Sequence, residues 1–330
     1  MIRAHARNVG LSLSLAVVLG FAHATCALTI SVSYVDSPGT GFKDPTLGAS
    51  RMAALSRAVS IWSNSILTPG NVQITAKFAS LGGNGTSAQL ASSGPVSMIA
   101  NFTNAPEANV FYPASLAESL AGRNINGTAD ISLTFNADID SGALNGINWS
   151  YSAAVPTNKN IDFETVAMHE IAHGMGFLSS FKSDGSWGFC GGRPYVFDTK
   201  LVNSAGVTLI SLPVSPSNVT SPVFFAGTAA DNAYALDGGV GSVPVFSPST
   251  WQAGSSMSHL DEATFTGNLD LMTPYYSQPE RSLDNVTLGV MEDIGWTINQ
   301  TVWAIGIPEP SCLLLMLGGS VLAMRKGKRR

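Results

Sequence analysis

The sequence predicts an α+β fold: a twisted mixed β-sheet carries one central helix, and a loop-rich C-terminal half follows. Three observations lead to this prediction. Segments that alternate and are rich in β-branched residues recur in the N-terminal half. Residues 161–178 form the most regular helical pattern. Residues 183–258 are dense in Gly, Pro, Ser and Asn, a composition typical of loops and short strands.

The individual elements follow from periodicity and from chain breakers. The pattern predicts strands over 27–35, 72–78, 96–102 and 129–135, the last one close to the central helix. It predicts helices over 50–66, 114–121, 161–178 and 282–294. No internal repeat and no interdomain linker occurs before Trp303, so we expect one main domain over 28–303.

The N-terminus has the layout of a secretory signal peptide over 1–27. Arg3 and Arg7 precede an apolar run over 10–22, and small residues follow it at spacings suited to cleavage. An N-terminal membrane anchor is the alternative, but the run is short for a span. We therefore expect a secreted or surface-exposed protein.

The C-terminus, 304–330, combines a Pro-Glu-Pro breaker at 308–310, an apolar stretch over 312–324 and a basic end over 325–330. This order resembles the PEP-CTERM sorting tail of Gram-negative bacteria. The resemblance implies export to the outside or the cell surface, and an exosortase-like sorting machinery as a partner. A plain transmembrane helix that anchors the chain is the alternative. Either way, we expect membrane contact only through the terminal segments.

Charge and cysteine content narrow the classes of partner. Seven of the 17 basic residues but only one of the 22 acidic residues lie in the two ends, which leaves 10 and 21 and a net charge of −11. Such an acidic domain argues against nucleic acid as a partner. Cys190 is the one cysteine between the ends, so no disulfide framework is expected and a buried or free thiol is predicted.

Calcium is one predicted cofactor. Asn136, Asp138 and Asp140 precede Gly142, and carboxylates two residues apart before a glycine are suited to Ca²⁺. A solvated turn is the alternative, because the longer calcium-loop motif is absent.

The strongest chemical signal is the run His169-Glu170-Ile171-Ala172-His173-Gly174-Met175-Gly176-Phe177. Two histidines four apart on a helix share one face, so His169 and His173 can bind one zinc ion. Glu170 is displaced around the helix and can act as the general base on a zinc-activated water. The same carboxyl group can then pass the proton to a leaving amine.

A catalytic zinc usually takes a third protein ligand. In the metzincin arrangement, which the run resembles, this ligand would stand at position 179, but Ser179 and its neighbour Ser180 are not normal zinc ligands. Once the signal peptide is removed, the chain has three histidines, and the third is His259. No Glu occurs between Glu170 and Glu262, so an acidic third ligand on a following helix has no candidate. We therefore predict His259 as the third ligand.

Several separated motifs together resemble the leishmanolysin-like branch of the metzincin zinc peptidases, in a bacterial secreted form. They are HEIAHGMGF at 169–177, SHLD at 258–261, LMTP at 271–274 and DIGW at 293–296. The resemblance implies a metzincin-like fold with no organic cofactor. It implies that Met272 is the structural Met-turn residue below the zinc. Tyr275 and Tyr276 are candidates for stabilising the transition state, with packing as the alternative, and Asp261 is a candidate for orienting His259.

The leading hypothesis is a secreted zinc endopeptidase that hydrolyses peptide bonds in a protein or peptide substrate, with Glu170 as its base. The first alternative is a catalytically inactive, surface-attached metal-containing binding or matrix protein. A second alternative, a structural protein with a sorting tail, predicts no metal at all. The intact Glu170 favours the enzyme, since an inactive descendant has little need of the base.

Overall fold

The computed structural model describes residues 28–188, 192–265 and 270–301. The predicted signal peptide over 1–27 and the predicted tail over 304–330 lie outside these residues. Within the described ranges, no helix is both long enough and apolar enough to cross a membrane. The chain is a mixed α+β structure, as the sequence predicts.

The described strands are short, and most of the longer ones lie before residue 140. They are β1 (Thr29–Tyr34), β2 (Asn71–Ala79), β3 (Ala91–Pro95), β4 (Met98–Ala100), β5 (Phe111–Pro113), β6 (Ile131–Asn136), β7 (Trp149–Ser150), β8 (Ile161–Asp162), β9 (Leu201–Asn203), β10 (Val223–Phe225) and β11 (Val243–Val245).

The described α-helices are α1 (Gly48–Ser65), α2 (Ala114–Ala121), α3 (Phe163–Gly174), α4 (Ser217–Thr220), α5 (Thr228–Leu236), α6 (Glu262–Phe265) and α7 (Asn285–Ile294). Short 3₁₀ turns lie at Gly41–Lys43, Ile139–Ser141, Phe197–Lys200 and Leu209–Ser211.

The main sheet has the strand order β1-β2-β6-β3. The first three strands are parallel, and β3 pairs antiparallel with β6 at one edge. Buried residues alternate along most of β2 and β6, as expected for strands that bury one face more deeply than the other. A smaller antiparallel sheet, β11-β10-β9, supports the C-terminal half.

Aromatic packing holds the start of α3 against the sheet. The Phe163 ring lies 4.4 Å from that of Phe135 on β6 and 5.4 Å from that of Trp149, between ring centroids. Further along, the Trp62 indole of α1 donates a hydrogen bond of 3.0 Å to the Met168 carbonyl oxygen. Such buried aromatic contacts combine a large apolar area with defined ring geometry, so the axis of α3 is fixed along most of its length.

The sequence prediction misses several of the described elements, among them the strand β3 and the helix α5. The strand β3 lies in a segment interpreted as a loop, because Ala-Ser-Ser-Gly-Pro has low β-propensity and forms a strand only by pairing with β6. The helix α5 lies in the region expected to contain loops and short strands. The strand predicted over 96–102 is shorter in the structure, where only β4 forms.

The predicted calcium loop uses its carboxylates for contacts within the protein. Asp138 accepts hydrogen bonds from Ser80 Oγ at 2.6 Å and Gly82 N at 2.8 Å. Asp140 forms a 2.7 Å ion pair with Arg51. The two carboxylates therefore serve different partners within the protein, and calcium at this loop stays a prediction.

Gly174, the last residue of α3, lies very close to β6. A Cβ atom built on Gly174 would lie 2.3 Å from Ile131 Cγ2, nearer than non-bonded carbon atoms can approach. The glycine therefore lets the C-terminal turn of the helix touch the sheet, and this turn carries His173.

We predict that Gly174→Ala lowers the free energy of unfolding by about 1–3 kcal/mol, because the added methyl group overpacks this contact. Chemical denaturation measures the change. The matched variant is Ile131→Ala, which removes the opposing atoms, and the double variant should lose less than the sum of the two single losses. Strict additivity would show that the two residues are not in steric conflict.

A second prediction concerns Asp130, which directly precedes β6 and is 1 % exposed. Its Oδ2 accepts a hydrogen bond of 2.7 Å from Gln73 N, while Oδ1 is buried without a partner. Burial, with a smaller contribution from the Glu118 carboxylate, raises the pKa of Asp130 to about 6. The unfolded value is about 3.9, so the folded state binds more protons between these two pH values.

Stability should therefore fall as the pH rises from about 4 to 6, by roughly 1–2 kcal/mol after partial solvent screening. Asp130→Asn removes the titrating group and should flatten the curve in this window. Denaturant unfolding at a series of pH values tests both statements. Parallel curves for the two proteins would contradict the assignment.

Candidate metal centre

The helix α3 begins at a buried capping carboxylate. Asp162 Oδ2 accepts hydrogen bonds from Thr165 N at 3.3 Å and from Thr165 Oγ1 at 2.7 Å. Arg281, far along the chain, donates to both oxygens of Asp162, at 2.9 and 2.5 Å. The start of the helix is thereby tied to the segment that precedes α7.

Three histidine side chains converge beside α3. The Nε2 atoms of His169 and His173 are 3.0 Å apart, and His259 Nε2 lies 3.2 Å from each of them. Among the described residues, these three form the group of side chains close enough to share a metal ion. The structure therefore brings together the three predicted ligands.

Each histidine is oriented by a backbone carbonyl group. His169 Nδ1 lies 2.8 Å from Leu271 O, His173 Nδ1 lies 2.7 Å from Phe177 O, and His259 Nδ1 lies 2.8 Å from Ser255 O. A carbonyl oxygen only accepts hydrogen bonds, so each Nδ1 must carry the proton. The three Nε2 atoms therefore present lone pairs to one another, an arrangement that repels unless a cation lies between them.

Burial keeps these imidazoles neutral. Desolvation lowers the pKa of His169, lowers that of His173 well below its usual value, and lowers that of His259 to about 3. Neutral imidazole is the form that binds a metal.

The spacing of the three nitrogen atoms is close to that of a tetrahedral metal site. Tetrahedral zinc with Zn–N bonds of ~2.0–2.1 Å requires nitrogen atoms about 3.3–3.4 Å apart. The observed triangle, with sides of 3.0–3.2 Å, comes within a few tenths of an ångström of this requirement. Three nitrogen ligands leave one tetrahedral position open, as catalytic zinc sites do. The three histidines are therefore close enough to hold a metal ion.

Glu170 lies beside the histidines and is 8 % exposed. Burial raises its pKa to about 7, and the nearby Ser93 side chain opposes the shift. The Ser93 hydroxyl group also donates to the main-chain carbonyl oxygen of Glu170 at 2.8 Å. The edge strand β3 is therefore attached to the helix at the predicted base.

The chain segment that carries His259 has an unusual backbone conformation at Met257. Met257, fully buried, has φ +70°, a left-handed conformation that costs a residue with a side chain about 1–3 kcal/mol. The segment is held on both sides by main-chain hydrogen bonds, from Phe246 N to His259 O at 2.9 Å and from Leu260 N to Met272 O at 2.9 Å. These bonds aim the imidazole at α3.

Ser179 stands where the metzincin arrangement has its third metal ligand, and its side chain forms a hydrogen bond within the protein. Ser179 Oγ donates to Asp198 at 2.8 Å, and Ser180 N donates to the same carboxylate at 3.0 Å. Sequence reasoning missed Asp198, because nothing local marks an aspartate in a loop as the partner of residues nearly twenty positions away.

The other predicted site residues, Met272, Tyr275 and Tyr276, differ in burial and in hydrogen-bond partners. Met272 is fully buried next to Leu271, whose carbonyl orients His169, a position that suits a structural role. Tyr275 is about half exposed, and its hydroxyl group donates to Gln252 at 2.7 Å. The hydroxyl group of Tyr276 accepts a hydrogen bond of 3.0 Å from Asp162 N at the start of α3, in keeping with the packing alternative.

The prediction that Asp261 orients His259 is wrong. Ser255 O orients this imidazole, while Asp261 Oδ2 accepts hydrogen bonds from Thr264 N and Oγ1 at the start of α6. A short acidic residue there satisfies the free N–H groups of the helix instead. Cys190 lies outside the described residues.

Comparison with known proteins yields no match, either to models of protein families or to curated proteins. The arguments below therefore rest on the geometry of this chain.

We predict that His259→Ala weakens zinc binding by more than the roughly 10–100-fold that loss of an outer hydrogen bond costs, because one of three ligands disappears. Metal analysis and titration against a competing chelator measure the loss. Asp261→Asn is the matched control, two residues away and outside the ligand set, and should keep its zinc. Full zinc occupancy at unchanged affinity in His259→Ala would exclude His259 as a ligand.

Proposed function

We propose that this chain is a zinc-dependent endopeptidase that hydrolyses peptide bonds in extracellular proteins or peptides. The observation that carries the proposal is the convergence of three Nε2 lone pairs, each fixed by an Nδ1 hydrogen bond to a carbonyl, beside a buried carboxyl group. This combination supplies a metal site and a proton acceptor in one place.

His169, His173 and His259 would hold a zinc ion, which when bound would supply Lewis acidity toward a water molecule and a substrate carbonyl group. Glu170 then moves the proton. Burial raises the pKa of Glu170 to about 7, close to neutral pH, so its ionised form is available there to accept a proton. The protonated carboxyl group can next donate to the leaving nitrogen.

The unpaired edge of strand β3 favours an extended peptide as the substrate. The hydrogen bonds from Asn136 N to Leu90 O and from Val96 N to Asp130 O fix which residues of this strand pair with β6. Antiparallel pairing alternates, so the main-chain groups of Ala91 and Ser93 point away from β6. No described strand pairs with that side of β3. An extended peptide could add there as a further strand, next to Glu170.

A metzincin-like architecture, with Met272 as the Met-turn residue and Tyr275 near the developing oxyanion, belongs to the same proposal. It is supported by the fixed position of Met272 beside Leu271 and by the exposed hydroxyl group of Tyr275. Tyr276 contributes packing at the start of α3 under this proposal.

The cellular setting is proposed from the sequence alone. The signal-peptide pattern and the sorting-tail pattern support a secreted or cell-surface protein of a Gram-negative bacterium, processed by an exosortase-like machinery. The acidic domain between these ends supports protein rather than nucleic acid as the substrate.

We predict that Glu170→Gln keeps its zinc but loses about 10²–10⁴-fold or more in peptide hydrolysis, because the amide is nearly isosteric but accepts no proton. Casein and a panel of quenched peptides measure the activity, and metal analysis measures the zinc. Tyr276→Phe is the control, which should remain active.

Zinc bound by the wild type, together with no Glu170-dependent cleavage of any substrate, would favour the inactive binding protein. Absence of zinc from the wild type would favour the structural alternative.

A further inference from the structure

We propose that Asp198 is a positioning residue for the metal centre and that it acts through the loop of residues 177–180, which follows α3. This inference rests on the proposed function only in that a metal ion binds the three histidines. Asp198 touches none of them.

The Asp198 carboxylate is fully buried and saturated with donors. Oδ1 accepts from Ser179 Oγ at 2.8 Å and from Ser180 N at 3.0 Å. Oδ2 accepts from Tyr195 N at 2.9 Å and, in a short contact, from Ser180 Oγ. A carboxylate is costly to bury unless donors compensate it, so these four donor groups define one position for the loop.

The same loop contacts one of the three ligands and the residue that precedes another. Phe177 O accepts the hydrogen bond from His173 Nδ1 at 2.7 Å. Ser179 N donates to Ser258 Oγ at 3.1 Å, and Ser258 directly precedes His259. A shift of the loop would therefore turn the imidazole of His173 and displace the segment that carries His259.

The hydrogen bond between Ser179 and Asp198 lies at the position where the metzincin arrangement has a metal ligand. A ligand there would be held in place by the metal itself. In this chain Asp198 holds the position by hydrogen bonds within the protein, and the third predicted ligand is His259. The buried carboxylate thus arranges the histidines in advance, which is how outer hydrogen bonds raise metal affinity.

The test compares three variants of the full-length protein. Asp198→Asn keeps the shape but turns an amide NH₂ group toward N–H donors. Ser258→Ala removes the link between the loop and the His259 segment without touching the carboxylate. Asp36→Asn is the matched control, because Asp36 is also a buried carboxylate that accepts two main-chain N–H groups, those of Phe42 and Phe78.

Three readouts separate positioning from general destabilisation. They are the zinc dissociation constant against a chelator, the visible absorption of the Co²⁺-substituted protein, and the thermal midpoint of the metal-free protein. We expect Asp198→Asn to weaken zinc binding by roughly 10–100-fold and to shift the Co²⁺ spectrum. Asp36→Asn should lower the thermal midpoint and leave zinc affinity and the spectrum unchanged.

We expect Ser258→Ala to weaken zinc binding about tenfold, and its effect should not add to that of Asp198→Asn if both act through one loop. Unchanged zinc affinity and an unchanged Co²⁺ spectrum in Asp198→Asn would overturn the positioning role while leaving the metal site intact. If Asp198→Asn does not fold, the zinc affinity and the Co²⁺ spectrum of Ser258→Ala and Ser179→Ala test the positioning role instead. A wild type without zinc would instead refute the proposed function and this role together.

Discussion

The metal centre depends on three hydrogen bonds from imidazole Nδ1 atoms to main-chain carbonyl oxygens. These oxygens belong to Leu271, Phe177 and Ser255, which lie on three separate chain segments. Because the acceptors are backbone groups, the tautomer and direction of each ring follow from the path of the chain rather than from another side chain. The close contact of Gly174 with Ile131 and the left-handed Met257 both contribute to that path.

The sequence predicts the local part of the centre well and the tertiary part poorly. His169 and His173 share a face because four residues make about one helical turn, a relation that the spacing alone contains. His259 was predicted by counting histidines. Asp198 and Ser255 act across the fold or through the backbone, where no spacing rule applies. Asp261 was given the wrong partner because a nearby carboxylate is as well suited to capping a helix as to orienting an imidazole.

The same division holds for the fold. Alternation and helical spacing predict β1, β2 and β6 and the helices α1, α2, α3 and α7, because each buries one regular face. The sequence shows the Asp-Ile-Gly-Trp motif at 293–296 only as part of a family resemblance, whereas the structure shows which contacts its side chains make. Asp293 accepts hydrogen bonds from Ala229 N and Ala230 N at the start of α5. The Trp296 indole donates to Met175 O at the end of α3. The motif therefore joins α7 to both helices.

The long chain separations at the centre have a consequence for the order of folding. His169 and His259 are 90 residues apart, Arg281 reaches Asp162 across 119, and Trp296 reaches Met175 across 121. Closing such loops costs entropy before any contact forms, so these pairings assemble late. A chain that ends before residue 259 contains only two of the three histidines, His169 and His173. Metal binding by all three histidines therefore requires a folded chain that extends at least through His259.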